Sequence, residues 1–461
     1  MSNASETRAI FRDLPWCKHG VVSEAKLQNI FQHGEWAGNS FSSWKRALRL
    51  PIDKRYFFAL NLRDNQEIIP YLFSAIVKAC LVLSEGWTSQ SCFISIYESG
   101  SSDHTRDLIL GLDKELEHLG VPHKFVVDGI RRDEKQHRIV FLAKIRNKAL
   151  APFYANMSSW DEVVFLNDVA ICASGILELL AQKNFHRGDV ASGMDYTAAM
   201  SHFRTLRGHV ALFYDIWVNK DMTGQRFQTS KPYIKDPAAW DSFSSGRPFQ
   251  VFTTWAGGVV MSAELFTKYE VRFRHSGLLE CAACECEIII RDLWYKSGTD
   301  GLKVMVVPTV FSAYSSKEFR LVISDLESTF KSSSSRGTFI EPIVFSRRPP
   351  DTFDCGSMEF AGEQSVDLDT LMVKSNWLWW YSVDKINSHD LPELLRRASK
   401  QITEPFATFC EQPLTLIPAS LHFVLPGTDP REIPHVAFMN MLQWVRLNPC
   451  FKVHTHTYDS L

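Results

Sequence analysis

The sequence predicts an α/β fold: a mostly parallel sheet with helices on both faces, followed by a C-terminal extension. Three observations carry this reading. Short apolar runs alternate with segments of helical period between residues 56 and 180. The alternation is one strand and one helix at a time, the pattern of parallel strands joined by crossover helices. Each strand ends in polar residues, and open α/β sheets bind ligands outside the carboxyl ends of their strands.

The elements follow in order. Residues 1–55 are mixed and polar, with helical pieces at 24–31 and 41–50. Residues 56–61 form the first apolar strand. Residues 67–83 have helical spacing, with Ile68, Leu72, Ala75, Ile76 and Ala79 on one face. A second strand spans 92–97, and a helix over 103–119 is stopped by Gly120 and Pro122. A third strand at 124–127 leads to a helix over 137–153, with Leu142, Ile145, Ala149 and Phe153 inward. A fourth strand at 163–166 leads to a helix over 175–180. Further strands are expected at 190–194, 252–261 and 303–307, the last closed by Pro308. Residues 319–370 lack pattern and read as loop.

These features divide the chain into an N-terminal helical or irregular segment (1–55), the α/β domain (56–318) and a linker that wraps it (319–400). Residues 401–461 then read as the start of a second unit, with a strand at 421–424, a helix at 438–447 and another strand from 448. That unit stops after one strand–helix–strand pass and is expected to be incomplete and inactive. A dense aromatic patch at Trp377, Trp379, Trp380 and Tyr381 reads as packing between segments.

Composition excludes several classes. The 461 residues are 45% hydrophobic and 22% charged, the balance of a packed globular chain. Lys+Arg 50 against Asp+Glu 52 leaves a net charge of −2, so no overall basic field points to nucleic acid. Lys78 interrupts the longest apolar run, so no membrane span is expected. Charges at Glu6, Arg8, Arg12, Asp13 and Lys18 argue against a signal peptide. Ten cysteines are too sparse for a disulfide framework. Cys281, Cys284 and Cys286 cluster, but without a second pair they make only half a zinc signature.

The strand ends hold Asn61-Leu62-Arg63-Asp64-Asn65, then Glu98-Ser99 through Asp103, then Asn167-Asp168. No glycine-rich dinucleotide or P-loop signature is present. Carboxylates after the second and fourth strands suit a nucleotide held by ribose and base contacts, with a divalent cation near its phosphates.

Nine segments in order over residues 59–314 then point to a family. They are ALNLRDN (59–65), ISIYESGSSDHT (94–105), FLAKIRNKAL (141–150), EVVFLNDV (162–169), FYDIWVNKD (213–221), PFQVFTTWAGG (248–258), VRFRHSGLLEC (271–281), ECEIIIRDLW (285–294) and VVPTVFSAY (306–314). Together they resemble the cryptococcal-type α-1,3-mannosyltransferases, glycosyltransferase family 69. The resemblance implies a GT-A fold, a Rossmann-like sheet that binds a nucleotide sugar. It implies transfer of mannose from GDP-mannose to a mannose-containing glycan, in α-1,3 linkage and with retention. A divalent cation is implied, Mn²⁺ foremost and Mg²⁺ second, and so is a place in the Golgi lumen. The partners implied are the nucleotide sugar donor and the glycan acceptor.

Breaking a sugar–diphosphate bond needs positive charge on the leaving group and carboxylates near the sugar. Residues are assigned on that basis. Asp168 resembles the metal-binding acid of the DxD motif, although the motif here reads Asn167-Asp168-Val169. Asn61, Arg63, Glu98, Ser99, Asp103, Arg146 and Asn167 are the donor-binding candidates. Glu98 and Asp103 flank a turn where Ser102 or Asp103 would equally well cap the following helix; Arg146 reads equally well as part of a solvated face. Trp255 and Gly257 are assigned to the substrate, the ring to stack on a sugar and the glycine to let the backbone approach, with a tight bend in a core strand as the equal alternative. Asp195, Glu285 and Asp292 are the catalytic candidates, and Glu287 reads as an exposed neighbour. The VVPTVFSAY segment has no His, which leaves a third metal ligand unassigned. The incomplete DxD also supports a rival reading, a catalytically inactive GT-A module that binds glycan or partner transferases.

Overall fold

A computed structural model describes residues 50–354 apart from 52, 85–90, 119, 128–129, 134–135, 201–208, 277–282 and 331–340. It also describes the strand pieces Glu35–Trp36, Asn39–Ser40, Ser375–Asn376, Ser420–Leu425 and Lys452–Thr457. The chain forms two units, Met1–His275 with Cys284–Pro349, and Ser276–Ala283 with Pro350–Leu461.

The first unit is an α/β sheet of nine strands. They are β1 (Tyr56–Leu62), β2 (Cys92–Glu98), β3 (His123–Val127), β4 (Glu162–Leu166), β5 (Val190–Met200), β6 (His209–Phe213), β7 (Phe249–Gln250), β8 (Gly258–Ser262) and β9 (Val304–Ala313). The order is β3-β2-β1-β4-β8-β5-β9-β7, and β6 pairs with the far end of β5. The first four strands are mutually parallel, as the alternating pattern requires. Antiparallel β8 then joins β4 to β5, and β5 pairs parallel with β9.

Helices cover both faces. The longer ones in chain order are α1 (Ile69–Leu83), α2 (Thr105–His118), α3 (Arg138–Ala149), α4 (Ala173–His186), α5 (Pro237–Ser244), α6 (Glu285–Ser297) and α7 (Ser316–Phe330). The period of two in β1 sorts its side chains. Phe58, Leu60 and Leu62 join a core with Leu72 and Ile76 of α1, Leu112 of α2 and Ile176 and Leu180 of α4. Phe57, on the other face, stacks on Phe93 and meets Phe153, with ring centroids 5.3 and 5.5 Å away. Such burial supplies about 25 cal/mol per Å² of apolar surface removed from water.

Three expectations change. The strand expected at 252–261 begins only at Gly258, and residues 252–257 lead into it as loop. The stretch from 319 is not all loop, because α7 runs to Phe330. Phe319, Val322 and Leu326, at helical spacing, are buried there. Strand β9 does not stop at Pro308. It runs on to Ala313, with a register shift against β5 between Val306 and Phe311. Proline cannot donate to a ladder, and a bulge is where a strand tolerates it. The bulge lets β9 resume with Ser312 opposite Asp195.

In the second unit, Ser420–Leu425 pairs parallel with Lys452–Thr457. Parallel strands need a crossover between them; the helix expected at 438–447 lies outside the described residues, as do the helical pieces at 24–31 and 41–49 and the aromatic patch at 377–381. No helix among the described residues is long and apolar enough to cross a membrane.

Candidate active site

The ends of β1, β2 and β4 form one edge, and hydrogen bonds zip its loops together. Asp64, held at φ 53°, accepts from the Ser102 amide at 2.6 Å. Asp103 accepts from the Gln66 and Thr105 amides at 3.0 and 2.9 Å. Burial would raise the Asp103 carboxyl, but these hydrogen bonds hold it below its usual range. Asp103 therefore caps α2 and ties it to the β1 loop. Glu98 is buried and accepts from the Ser101 amide, so it too shapes the turn. The Ser99 amide donates to Leu62 O at 3.1 Å. Arg63 stays exposed beside Asp64. Asn61 ends with Oδ1 buried and without a hydrogen-bond partner.

Asn65 links this edge to Asp168. Its amide nitrogen donates to Thr105 Oγ1 at 2.7 Å, and its Nδ2 donates to Asp168 Oδ2 at 2.9 Å. Burial raises the Asp168 carboxyl, against the lowering effect of Asn65 and the charges of Arg146 and Arg138. Arg138, the first residue of α3, is exposed and close enough to act on Asp168. Neither Asn65 nor Arg138 stands out in the sequence as a site residue.

Behind Asp168 lies a buried cationic centre. Arg146 is not on a solvated face. Its Nε donates to Glu285 Oε1 at 2.8 Å and a terminal nitrogen to Asn167 Oδ1 at 3.2 Å. Its guanidinium sits 4.9 Å from the Phe165 ring centroid, 5.1 Å from Trp255 and 5.7 Å from Phe273. Arg146 thus orients Asn167 and Glu285 from inside the protein. Trp255 is 1% exposed and donates through Nε1 to Asn167 Oδ1 at 3.3 Å, so the sugar-stacking role read for it is corrected to a core role. Gly257 has φ 70°, and a Cβ there would stand 2.0 Å from Ser312 Oγ. Its carbonyl accepts from the Asn167 amide at 2.7 Å. It is a packing glycine that holds Asn167 in place.

Asn167 carries the network onward. Two donors occupy its Oδ1, and its side chain lies close enough to act on the Tyr314 hydroxyl. The Tyr314 hydroxyl donates to Asp195 Oδ2 at 3.1 Å, and the Asp215 amide donates to Asp195 Oδ1 at 3.2 Å. Asp195 is buried, and burial pushes its carboxyl up to about 7. Asp215, half-buried, is raised too, by burial and by the neighbouring Asp195 charge. The Asp195 charge thus disfavours a charge on Asp215 as well. Asp215 is the residue the sequence reading missed. The signal was present in the FYDIWVNKD segment, an acid between aromatics, but nothing in the spacing ties it to Asp195.

The loop after β6 is fixed from below. Asn219 Nδ2 donates to Asp215 O at 2.8 Å, and Thr254 Oγ1 donates to Asn219 Oδ1 at 2.6 Å. Lys220 pairs with Glu287 at 2.6 Å. Glu287 is therefore a buried ion-pair partner, 3% exposed, and not an exposed neighbour. Asp292 lies seven residues along α6 from Glu285, about 10 Å down its axis. Both its oxygens are taken by Arg274, Nε to Oδ2 at 2.8 Å and NH2 to Oδ1 at 2.5 Å. The structure places Asp292 in this fork and not with the other acids. Cys284 and Cys286 are free thiols, and Cys281 lies outside the described residues.

A stability test follows from Asp195. Its carboxyl ordinarily titrates near 3.8 and here near 7. Below the first value both folded and unfolded chains hold a neutral acid. Between the two, folding must keep a proton that the unfolded chain releases, and above the second the fold carries a buried charge. The Asp195 contribution to stability therefore falls as pH rises from about 4 to about 7. Asp195→Asn keeps the shape and an acceptor for the Asp215 amide, but removes this titration. Its melting temperature relative to wild type should be higher at pH 8 than at pH 5. A constant difference across that range would contradict the assigned environment.

The sequence of this unit matches a known family. The family described as cryptococcal mannosyltransferase 1 matches residues 55–292. This chain belongs to that family. The match takes in Asn61, Asp168, Asp195, Asp215 and Glu285. A member of the cryptococcal mannosyltransferase family, the alpha-1,3-mannosyltransferase CMT1 of Cryptococcus neoformans, is 32% identical over 308 residues. The match takes in 61% of this chain and 63% of that relative's length. Among solved structures, the mannosyltransferase PcManGT of Pyrobaculum calidifontis, in complex with GDP-Man and Mn²⁺, aligns at TM-score 0.34 and 12% identity, over 59% of this chain and 62% of that one. GalNAc-T7 with UDP, GalNAc and Mn²⁺ aligns at TM-score 0.34 and 11% identity, over 56% and 43%. At those scores the two structures are remote likenesses from which nothing functional follows.

Proposed function

We propose that this chain transfers mannose from GDP-mannose to a mannose-containing glycan, in α-1,3 linkage and with retention. The observation that carries the proposal is the set of carboxylates Asp168, Asp195 and Asp215, gathered at the mouth of the sheet in a member of this family. A Golgi lumenal setting is part of the proposal. The disulfide at Cys172 suits such an oxidising compartment.

Each group has a task in this reading. Asn61 Oδ1, a buried acceptor without a donor, accepts a hydrogen bond from the nucleotide. Arg138 supplies positive charge to the diphosphate. The residues fit a divalent cation that takes one protein carboxylate and fills its remaining positions with diphosphate oxygens and water, as Mg²⁺ and Mn²⁺ do. Among the described residues no three acidic, His or Cys groups form a closed metal cage. Asp168, raised by burial and held by Asn65, is the carboxylate that would hold the cation. When bound, the cation supplies charge that stabilises the departing diphosphate.

The Asp195–Asp215 pair faces the sugar side. An acid pair sharing a proton near neutral pH can keep one carboxylate charged against a developing sugar cation. The acceptor oxygen bonds to the anomeric carbon on the same face from which the phosphate oxygen departs as the carbon–phosphate oxygen bond breaks, so the configuration is retained. The acceptor proton leaves with the nucleotide diphosphate or passes to a carboxylate. Arg146, Glu285 and Tyr314 position Asn167 and Asp195 and touch neither substrate.

A donor screen tests the proposal. Purified protein is incubated with GDP-mannose, UDP-xylose or UDP-galactose and a mannose oligosaccharide, with and without Mn²⁺. Nucleotide diphosphate released only from GDP-mannose, and only with the cation, is the expected result. Release from a UDP-sugar instead would overturn the donor assignment.

A further inference from the structure

We propose that Tyr214 and Trp217 form the platform on which a pyranose ring of the acceptor glycan stacks, beside Asp215. The inference rests on the mannosyl-transfer reading and adds to it the place where the acceptor lies.

An exposed apolar patch with a polar rim, beside a site, marks a binding surface. Tyr214 is 53% exposed and Trp217 38% exposed, one on each side of Asp215 in the loop after β6. Among the described residues only Leu110, Tyr295 and Val344 are also large, apolar and exposed, and they lie on other elements. The Tyr214 ring leans on Tyr314 at 4.6 Å between centroids, so it is backed by the residue that holds Asp195. The Tyr314 hydroxyl behind it hydrogen-bonds Asp195, and burial together with the charges of Asp215, Asp195 and Asp168 raises the Tyr214 hydroxyl.

The loop is also stiff. Its base is held by Asn219 to Asp215 O and by the Lys220 amide to Thr253 O at 3.0 Å. The Tyr214 amide donates to Asp195 O at 3.0 Å. Rings held in advance lose little entropy when a ligand arrives. The chemistry selects a sugar. A pyranose has a face of C–H groups that covers an aromatic ring, and hydroxyls at its rim that donate to carboxylates. Aromatic rings flanking an acid offer both at once. A purely apolar partner would leave Asp215 without a hydrogen bond.

The test is direct binding, read by saturation-transfer NMR and calorimetry. The probes are methyl α-mannoside and short mannose oligosaccharides, with glucose oligomers for comparison. Wild type is expected to bind the mannose oligomers, with saturation strongest on ring C–H protons. Trp217→Ala and Tyr214→Ala are each expected to weaken binding about tenfold, the loss of one ring contact. Trp217→Phe keeps a ring and should lose less. Tyr295→Ala, ten residues along α6 and 67% exposed, should bind as wild type does. Both alanine variants change exposed side chains, and melting temperatures confirm that each is folded. No binding by wild type, or equal binding by wild type and Trp217→Ala, would overturn the platform. So would a concentration-dependent dimer lost in Trp217→Ala without loss of saccharide binding. None of these readings needs donor turnover, so a failed donor screen overturns the transfer reading and leaves the platform to be judged on its own result.

Discussion

Asp168→Asn is expected to lower Mn²⁺-dependent turnover of GDP-mannose by about 10²- to 10³-fold. The residue follows β4, whose side chains are fully buried, so the fold holds it at the mouth of the sheet. Asparagine keeps the size of the side chain and an oxygen. It removes the negative charge that a hard divalent cation needs. Folding should be unharmed, because burial already disfavours the charged form of Asp168. The comparison is made between wild type and variant at matched melting temperature, across Mn²⁺ concentrations. Turnover that saturates at a higher cation concentration identifies Asp168 as the cation's partner. Equal turnover at every concentration would move the cation elsewhere, with Asp195 the next carboxylate.

Arg146→Met is expected to act on stability instead. It removes the ion pair to Glu285, the hydrogen bond to Asn167 and the contact with three rings. Glu285 is 1% exposed and its Oε2 already has no hydrogen-bond partner. Breaking a buried pair on one side typically costs about 3–5 kcal/mol, because the remaining charge is stranded. For a unit of this size that corresponds to a drop of roughly 10 °C in melting temperature. Replacing both members, Arg146→Met with Glu285→Leu, should recover much of the loss, since no charge is then buried alone. Denaturant unfolding of the single and double variants measures the difference. A single variant as stable as wild type would show that the Arg146–Glu285 pair contributes nothing to the fold.

The parts legible in the sequence are those set by local pattern. The parallel half of the sheet follows from strands of about five residues alternating with helical spacing, and each strand end falls within a few residues of its expected place. The mouth of the sheet, and with it Asp168, follows from the same alternation. The parts that were not legible depend on contacts between distant residues. Asp195 meets Asp215 across a turn of twenty residues and Tyr314 across more than a hundred. No spacing in the sequence records those meetings. Trp255 reads as an exposed ring before glycines, but a guanidinium from α3 covers it. Glu287 reads as exposed until Lys220, sixty-seven residues away, is found beside it. Pro308 reads as a strand end, and only the pairing with β5 reveals a bulge. Helix α7 had a legible period at Phe319, Val322 and Leu326, hidden by the serine-rich run that follows it.

In the proposed reaction, mannosyl transfer runs at the Asp195–Asp215 pair. The most direct measurement is GDP released from GDP-mannose, in the presence of Mn²⁺ and a mannose oligosaccharide, by wild type and by Asp215→Asn. Wild type should release GDP in an acceptor-dependent way, and release by the variant should fall about a hundredfold or more, with the melting temperature little changed. Release by Asp215→Asn at the wild-type rate would contradict this assignment.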